Sequence, residues 1–190
     1  MKDRVPFTLV TGNPNKVEEA ERIVGERLER ADIDLPEIQS LDLLEVLRFK
    51  AEEAYRLLQR PVAVEETGLA LAAMGGFPGP LIKWMLDAMG PVGVARAALA
   101  LGNPGVRAEC ALAYFDGERL LTGVGHTDGT LIEAPRGDQG FGWDPVFLPV
   151  GHELTYAELS PQVKDEIGHR GRAWRAFRVR LEEAGLLEKA

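Results

Sequence analysis

The sequence predicts an α/β fold built on a mixed β-sheet with helices packed against it. Near the start, the apolar run Phe7–Val10 lacks the alternation of a half-buried strand, and helical spacing of apolar residues follows at once. This order is typical of a buried parallel strand and the helix after it. Between residues 108 and 132 the pattern changes to alternation with hairpin signals, which predicts antiparallel strands. Parallel and antiparallel strands together make a mixed sheet.

A polar turn, Thr11-Gly12-Asn13-Pro14-Asn15-Lys16, joins the first strand to the first helix. We expect Asn15 to cap that helix. The buried stripe of the helix is Val17, Ala20, Ile23, Val24 and Leu28, and the residues outside it are Glu18, Glu19, Glu21 and Arg22. The positive helix end favours an anion, to which Lys16 adds a charge. Phosphate is the natural candidate, and an ordinary capped turn with a solvated lysine is the alternative.

The size and charge of the chain limit its class. Its 190 residues, 45% of them hydrophobic, suit one domain over residues 1–190, or two closely joined lobes, with a real core. The formal net charge of −8 argues against a nucleic-acid partner, because duplex binding needs many Lys and Arg contacts to phosphates. Any polyanion must therefore be bound by a local cationic cluster.

The single cysteine, Cys110, allows no intrachain disulfide and no thiolate metal site, which fits a reducing compartment. The first six residues, Met1 to Pro6, lack the apolar core of a signal peptide. No later segment is long and apolar enough to cross a bilayer. We therefore expect a cytoplasmic protein with no membrane partner.

The second helix carries a lysine within its apolar stripe. That stripe consists of Leu43, Leu47, Ala51, Ala54 and Leu58, and Lys50 lies along it. A lysine in such a row either extends to the edge of the apolar surface or contacts an anion in a cleft. The sequence leaves both possibilities open.

Two adjacent acids end the second buried-type strand, Val62-Ala63-Val64. Glu65 and Glu66 at a strand's carboxyl end indicate a metal site, although an acidic surface turn has the same sequence. Because side chains alternate along a strand, the two carboxylates point to opposite faces. We therefore expect only one of them to serve a given cleft.

Glycine and proline delimit the remaining elements. Pro80 begins a helix that Gly90-Pro91 stops, and a further helix covers roughly residues 92–101. Asp116-Gly117 and Asp128-Gly129 predict two turns in the antiparallel meander. The apolar face of the terminal helix is Ala173, Phe177, Leu181 and Ala184, with Gly185 as its C-cap.

Five stretches form an ordered pattern over nearly the whole chain. They are Thr11-Gly12-Asn13 with Lys16, Val64-Glu65-Glu66-Thr67-Gly68-Leu69, Gly79-Pro80-Leu81-Ile82-Lys83-Trp84, Phe141-Gly142-Trp143-Asp144-Pro145-Val146-Phe147, and Thr155-Tyr156-Ala157-Glu158 leading to Lys164 and His169-Arg170. The pattern resembles the inosine triphosphate pyrophosphatase family. This resemblance implies a strongly twisted mixed sheet with two lobes around a nucleotide cleft, Mg²⁺ dependence and a homodimer. It also implies hydrolysis of noncanonical purine nucleoside triphosphates (ITP, dITP and XTP) to the monophosphate and pyrophosphate.

The resemblance further implies roles for individual residues. The triphosphate is held by Thr11, Asn13, Lys16 and Lys50. Glu37 binds the metal, and Glu66 is the catalytic acid that binds Mg²⁺ or activates water. The nucleobase pocket consists of Phe141, Trp143, Asp144, Lys164, His169 and Arg170. Aromatic faces stack bases, and charged side chains distinguish base edges. Without the resemblance, Phe141 and Trp143 fit a core and Arg170 fits a surface.

Two positions depart from the family pattern. The family usually has Asp at the position of Glu66, and one added methylene moves the carboxylate by roughly 1.5 Å. The family usually has Ser at the position of Gly168, so a hydroxyl is missing from the base pocket and the backbone is freer. A nucleotide-binding protein with weak or altered hydrolysis is therefore the alternative function.

Overall fold

The computed structural model describes residues 5–25 and 27–188. The prediction that Met1 to Pro6 lack the apolar core of a signal peptide therefore falls mostly on residues outside the described part of the chain. The strands are β1 Thr8–Val10, β2 Arg30–Ala31, β3 Val62–Leu71, β4 Pro78–Gly79, β5 Gly105–Phe115, β6 Leu120–Leu131 and β7 Phe147–Pro149. The helices are α1 Pro14–Val24, α2 Leu43–Leu58, α3 Ile82–Ala100, α4 Pro161–Ile167 and α5 His169–Glu183. Short 3₁₀ turns cover Ala72–Met74 and Asp144–Val146.

The sheet is mixed, as the sequence predicts. Its order is β2-β1-β3-β5-β6-β7, with β4 paired to the far end of β3. The strands β2, β1 and β3 are parallel, whereas β3, β5, β6 and β7 form an antiparallel series. The period change in the sequence therefore marks the change in strand direction.

Strand β3 determines where a site can form. Its first residues pair with β1, with Val10 opposite Val64, and its last residues pair with β4. The turn after β1 therefore begins beside Glu65 and Glu66, which lie within β3 and do not end it as predicted. They follow the part of β3 that is parallel to β1, Val62 to Val64, at its carboxyl end. This end of an open α/β sheet is where ligands bind.

The apolar core has three parts. One, with α1 and α5, includes Ala63 and Phe177, and a second, on the α2 side, includes Val64 and Leu47. These two cover opposite faces of the first half of β3, because successive side chains of a strand alternate between its faces. The third part includes Leu71 from the far end of β3, together with residues of α3 and β7.

The structure corrects several element boundaries. Helix α1 ends at Val24 because Gly25 adopts a left-handed conformation, with φ of 80°, so Leu28 packs in the core from outside the helix. Pro80 lies before α3, which starts at Ile82, so the predicted start is two residues early. The predicted break at Gly90-Pro91 is present as a kink within α3, because Gly90 has non-helical backbone angles. The C-cap of α5 is Ala184, and Gly185 follows it with φ of 70°.

The predicted second turn of the meander, Asp128-Gly129, is wrong, because β6 continues through both residues. A Cβ on Gly129 would lie 2.7 Å from the carbonyl oxygen of Leu148 and 2.7 Å from the Phe147 ring. The glycine therefore permits the close approach of β7 and does not reverse the chain. Within the described part of the chain, no helix has the length and apolar character needed to cross a bilayer.

Candidate functional site

The turn after β1 presents a helix N-terminus to the cleft. The N-cap is Asn13 and not Asn15, since the Asn13 side chain accepts from the Asn15 backbone N–H at 3.0 Å. The physical reason is Pro14, which lacks an N–H and suits the first helical position. The Thr11 hydroxyl oxygen accepts from the Asn13 N–H at 3.1 Å, which fixes the turn. The first turn of α1 contains no acidic residue, so its positive end is left for an anion.

A cleft of about 680 Å³ collects most of the predicted site residues. Those that line it are Thr11, Asn13, Lys16, Glu37, Lys50, Glu66, Phe141, Trp143, Asp144, His169 and Arg170. Lys164 lies behind Phe141, where it lines a smaller cavity of about 170 Å³. The cleft is also lined by Lys83 and Trp84 of α3.

Glu65 and Glu66 both line the cleft, so the expectation that only one of them serves it is wrong. Their side chains do contact elements on opposite faces of β3. Glu65 pairs with Lys16 of α1 and Arg170 of α5, whereas Glu66 pairs with Lys50 of α2. The cleft therefore reaches the strand from both sides.

Lys50 lies between two carboxylates. Its Nζ donates to Glu66 Oε2 at 2.8 Å and to Glu37 Oε1 at 3.1 Å. Burial lowers the pKa of Lys50, but Glu66 and Glu37 outweigh it, so the pKa is raised. Burial likewise raises the pKa of Glu37, but Lys50 outweighs this effect, and the pKa is lowered. We call these three residues the open cluster, because Glu37 is 47% exposed.

The open cluster fits a magnesium ion. Both carboxylates already contact one cation, the Lys50 ammonium, so they lie within reach of a common point. Mg²⁺ is usually held by one or two carboxylates together with waters and substrate phosphates. The described residues contain no group of three or more His, Cys, Asp or Glu side chains suited to a metal.

A glycine-flanked loop shapes the other end of the cleft. Gly140 and Gly142 have φ values of 75° and 63°, a left-handed conformation that favours glycine. Between them, the Phe141 N–H donates to Asp144 Oδ2 at 2.8 Å, which closes the loop. The Trp143 ring lies 5.9 Å from the ring of His169, centroid to centroid. An aromatic wall therefore faces the cleft.

Two cations lie against this wall. Lys164 Nζ and the Arg170 guanidinium carbon are each 5.3 Å from the centroid of the Phe141 ring. His169 beside them is buried, and burial, Arg170 and Lys164 hold its pKa well below the usual value. The imidazole is therefore neutral near pH 7. Arg170 is buried and not a surface residue, so the surface interpretation of this arginine is wrong.

A continuous series of alternating charges runs behind the cleft. Lys164 Nζ donates to Asp144 at 2.7 Å and to Glu19 at 2.8 Å. Arg170 donates to Glu19 through Nη1 and to Glu65 through Nε, at 3.0 and 3.1 Å. The last member is Lys16, whose Nζ lies 3.3 Å from Glu65. We call Asp144, Lys164, Glu19, Arg170, Glu65 and Lys16 the buried ion network.

Sequence reasoning did not predict the network roles of Glu19 and Glu65, and it considered Glu65 only as a possible metal ligand. Glu19 was expected among the residues outside the buried stripe, yet it is 7% exposed. Burial raises its pKa, but Arg170 and Lys164 outweigh that effect and lower the pKa. One available signal was its spacing three residues after Lys16, which places both on one helix face.

The chain resembles proteins of known family over most of its length. The family model described as the Ham1 family matches residues 7–180. The chain belongs to the Ham1 family. It is similar to inosine triphosphate pyrophosphatase 2 of Trypanosoma cruzi, with 39% identity over 90% of each chain. It is also similar to the inosine triphosphate pyrophosphatase of Batrachochytrium dendrobatidis, with 40% identity over 86% of this chain and 87% of the relative.

Solved structures of similar proteins share the fold. A HAM1 protein from Coxiella burnetii matches with a TM-score of 0.78 and 28% identity, over 93% of this chain and 99% of its own. A nucleoside-triphosphatase / dITP/XTP pyrophosphatase from Mycobacterium abscessus matches with a TM-score of 0.68 and 28% identity, over 89% and 97%. The family resemblance found in the sequence and the mixed α/β fold are therefore confirmed.

Gly168 is one of the two departures of this Ham1-family chain from the pattern described above. It joins α4 to α5 with φ of −76°, which any residue adopts. A Cβ at this position would nevertheless lie 2.5 Å from the carbonyl oxygen of Lys164. Glycine is therefore required here by close packing, and a serine would need the junction to shift.

Proposed function

We propose that this protein hydrolyses noncanonical purine nucleoside triphosphates, namely ITP, dITP and XTP, to the monophosphate and pyrophosphate in a Mg²⁺-dependent reaction. The observation that carries the proposal is the single cleft of about 680 Å³ that contains a helix N-terminus with Lys16, two carboxylates and an aromatic wall with cations. These are the groups that a triphosphate, its metal and a purine each require. The names of the relatives agree with this substrate class.

At the phosphate end, Thr11, Asn13 and Lys16 bind phosphate oxygens, using the unpaired N–H groups of the first turn of α1. Glu37 and Glu66 would hold Mg²⁺, and the bound ion would neutralise charge on the phosphates. Lys50 then moves its ammonium from the carboxylates to a phosphate oxygen. Glu66 accepts a proton from the water that attacks the α-phosphorus, and pyrophosphate leaves.

At the base end, Phe141 and Trp143 stack the purine, and Arg170 reads its edge. The Nε and Nη1 atoms of Arg170 bind Glu65 and Glu19, so the N–H groups of Nη2 and the second N–H of Nη1 are the donors left for the base. A donor near purine position 6 pairs with the keto oxygen of hypoxanthine or xanthine but opposes the amino group of adenine. A buried donor facing another donor is costly, so the site favours keto purines.

The test is pyrophosphate release from ITP, with ATP and GTP as comparison substrates and Mg²⁺ present. We expect kcat/KM for ITP to exceed that for ATP by about a hundredfold or more. The matched variant Glu66→Gln keeps the shape of the side chain and removes its charge, and should lower kcat by about 10²–10³-fold. No pyrophosphate above background from folded protein would reject the proposal, and release of phosphate alone would indicate a different class of phosphatase.

A nucleotide-binding protein with weak hydrolysis is the second candidate, because the longer Glu66 is already engaged by Lys50 at 2.8 Å. The variant Glu66→Asp separates the two candidates. If Glu66 is correctly placed for catalysis, shortening it should lower kcat by about a hundredfold. A rise in turnover, with unchanged triphosphate binding, would favour the second candidate.

The homodimer and the cytoplasmic location stay predictions of the sequence analysis. Light scattering coupled to size-exclusion chromatography measures the mass in solution directly. A mass near twice 20.8 kDa would agree with the dimer, and a monomer would contradict it.

A further inference from the structure

The Glu65 carboxylate joins the two ends of the cleft. Its side chain is 3% exposed and lies on the α1 and α5 side of β3. Both of its oxygens accept from Arg170 Nε, at 3.0 and 3.1 Å, and Oε1 also lies 3.3 Å from Lys16 Nζ. One carboxylate therefore contacts a cation at the base end and a cation at the phosphate end.

Glu19 provides a natural comparison within the same network. It also accepts from Arg170, through Nη1, but its second cation is Lys164 and not Lys16. Both acids are buried, and both offset the positive charge of the same Arg170 guanidinium. They differ in that only Glu65 pairs with the lysine of the phosphate turn.

We propose that Glu65 is a positioning residue that couples recognition of the base to binding of the triphosphate. It fixes the Arg170 guanidinium, and it neutralises Lys16 until phosphates arrive. The inference rests on the proposed function, since it takes the ligand to be a purine nucleoside triphosphate.

The two cations held by Glu65 differ in freedom. The Lys16 side chain is 16% exposed and carries its ammonium on a flexible stem, so it can turn from Glu65 to a phosphate oxygen. Arg170 is 6% exposed and bound by two acids, so it stays in place. Phosphate binding thus removes Lys16 from Glu65 and leaves the pair between Glu65 and Arg170 intact.

This exchange strengthens the base end. Once Lys16 contacts phosphate, the Glu65 charge acts on Arg170 alone, and the guanidinium is held more firmly in the orientation that reads the base. Because coupling between two sites is reciprocal, a bound base must also favour the triphosphate. We expect each half of the nucleotide to raise the affinity for the other.

The first test measures inorganic tripolyphosphate binding by calorimetry in the presence of EDTA, with wild type, Glu65→Gln and Glu19→Gln. In wild type, binding of tripolyphosphate to Lys16 must break the ion pair between Lys16 and Glu65. In Glu65→Gln the lysine is already free, so the affinity should rise about fivefold, the scale of one partly exposed ion pair. Glu19→Gln removes the same charge from the network without freeing Lys16, and should change the affinity by less than about twofold.

A merely structural role for Glu65 predicts the opposite result. Loss of a structural carboxylate would loosen the cleft and weaken tripolyphosphate binding together with stability. Unchanged or weaker binding in folded Glu65→Gln, or an equal increase in Glu19→Gln, would therefore overturn the proposal. The selectivity for ITP over ATP, as a ratio of kcat/KM values, should meanwhile fall by about tenfold in Glu65→Gln, because Arg170 loses a fixed partner.

The second test needs no variant. Inosine binding to wild type should tighten about fivefold when tripolyphosphate is present, a typical coupling between two sites. If inosine affinity is the same with and without tripolyphosphate, the inference is wrong even where Glu65→Gln does not fold. Wild type that releases no pyrophosphate from ITP would reject the proposed function instead, whereas active wild type without coupling would reject only the role of Glu65.

Discussion

The buried ion network and the open cluster both combine acids with cations, but they differ in contact with water. Within the network, the side chains of Glu19, Glu65 and Arg170 are at most 9% exposed. In the open cluster, Glu37 is 47% exposed, whereas Lys50 and Glu66 are 13% and 12% exposed, close to Lys16 of the network at 16%. The contrast in contact with water therefore rests on Glu37. Buried charges that lose a partner cannot recover water, whereas exposed ones can.

We infer from this difference that the two regions have different roles in the proposed function. The network, which links α1, β3, α4 and α5, forms a fixed frame at the base end. The open cluster can release Lys50 to a phosphate at small cost, because water, a metal ion or substrate can replace it. Selectivity then depends on the rigid region, and turnover depends on the exchangeable one.

The largest expected effect tests this difference directly through the variant Arg170→Met. Removal of the guanidinium takes one cation from each of two buried carboxylates, so that Glu19 keeps only Lys164 and Glu65 keeps only Lys16. This loss should lower the free energy of unfolding by about 3–5 kcal/mol. Urea denaturation measures the loss.

The matched control is Lys50→Met, which makes the same type of change in the open cluster. Glu37 is 47% exposed, but Lys50 and Glu66 are only 13% and 12% exposed, so we expect an intermediate loss of about 1–2 kcal/mol, smaller than that of Arg170→Met. Equal losses in the two variants would contradict the proposed division between rigid and exchangeable regions.

Gly168→Ala should have the next largest effect, because it places a Cβ 2.5 Å from the carbonyl oxygen of Lys164. The junction between α4 and α5 must shift, and overpacking of this kind costs about 1–3 kcal/mol of unfolding free energy. Gly168→Ser adds a hydroxyl to the same Cβ and should lose a similar amount. If urea denaturation gives both variants wild-type stability, the tight junction is not a feature of the folded protein.

The fold was largely predictable from local patterns. The apolar run Phe7–Val10 and the stripe from Leu43 to Leu58 correspond to β1 and α2, because burial selects apolar residues at the period of each element. Asp116-Gly117 does join two strands, but Asp128-Gly129 does not. The same dipeptide serves a turn in one place and close packing of β7 in the other, and only the neighbouring strand decides between them.

The site was predictable only in part. The ordered motifs identified Lys16, Glu66 and Arg170, and these side chains do line one cleft. Glu19 and Glu65 were missed as partners of the base-end cations, because charged residues are normally expected at the surface. Their burial depends on Arg170, which lies 151 and 105 residues away in the chain. Periodicity reports local structure and does not report such distant pairs.

The free energy of unfolding should depend on pH because of His169, which is buried at the base end of the cleft. Burial, Arg170 and Lys164 hold its pKa well below the usual value in the folded protein, whereas the unfolded chain takes up a proton near pH 6.5. The unfolded state therefore binds more protons below that pH, and stability falls as pH falls. At its steepest the loss is about 1.4 kcal/mol per pH unit.

Urea denaturation between about pH 8 and about pH 5 measures this slope. The variant His169→Gln should flatten it. The lowered pKa of Glu37 in the open cluster acts only in more acid solution, since its unfolded value is 4.5. An identical slope in wild type and His169→Gln would contradict the assignment of this pH range to the buried imidazole.

The smallest expected effect concerns a pair outside both regions, Arg107 and Asp128. Arg107 donates to both carboxylate oxygens of Asp128, at 2.7 and 3.2 Å, but the two side chains are 47% and 51% exposed. Asp128→Ala should therefore lower the free energy of unfolding by only about 0.5 kcal/mol, and about 1 M salt should remove most of that difference. A loss as large as that of Arg170→Met would mean that geometry, and not exclusion of water, determines what an ion pair contributes in this protein.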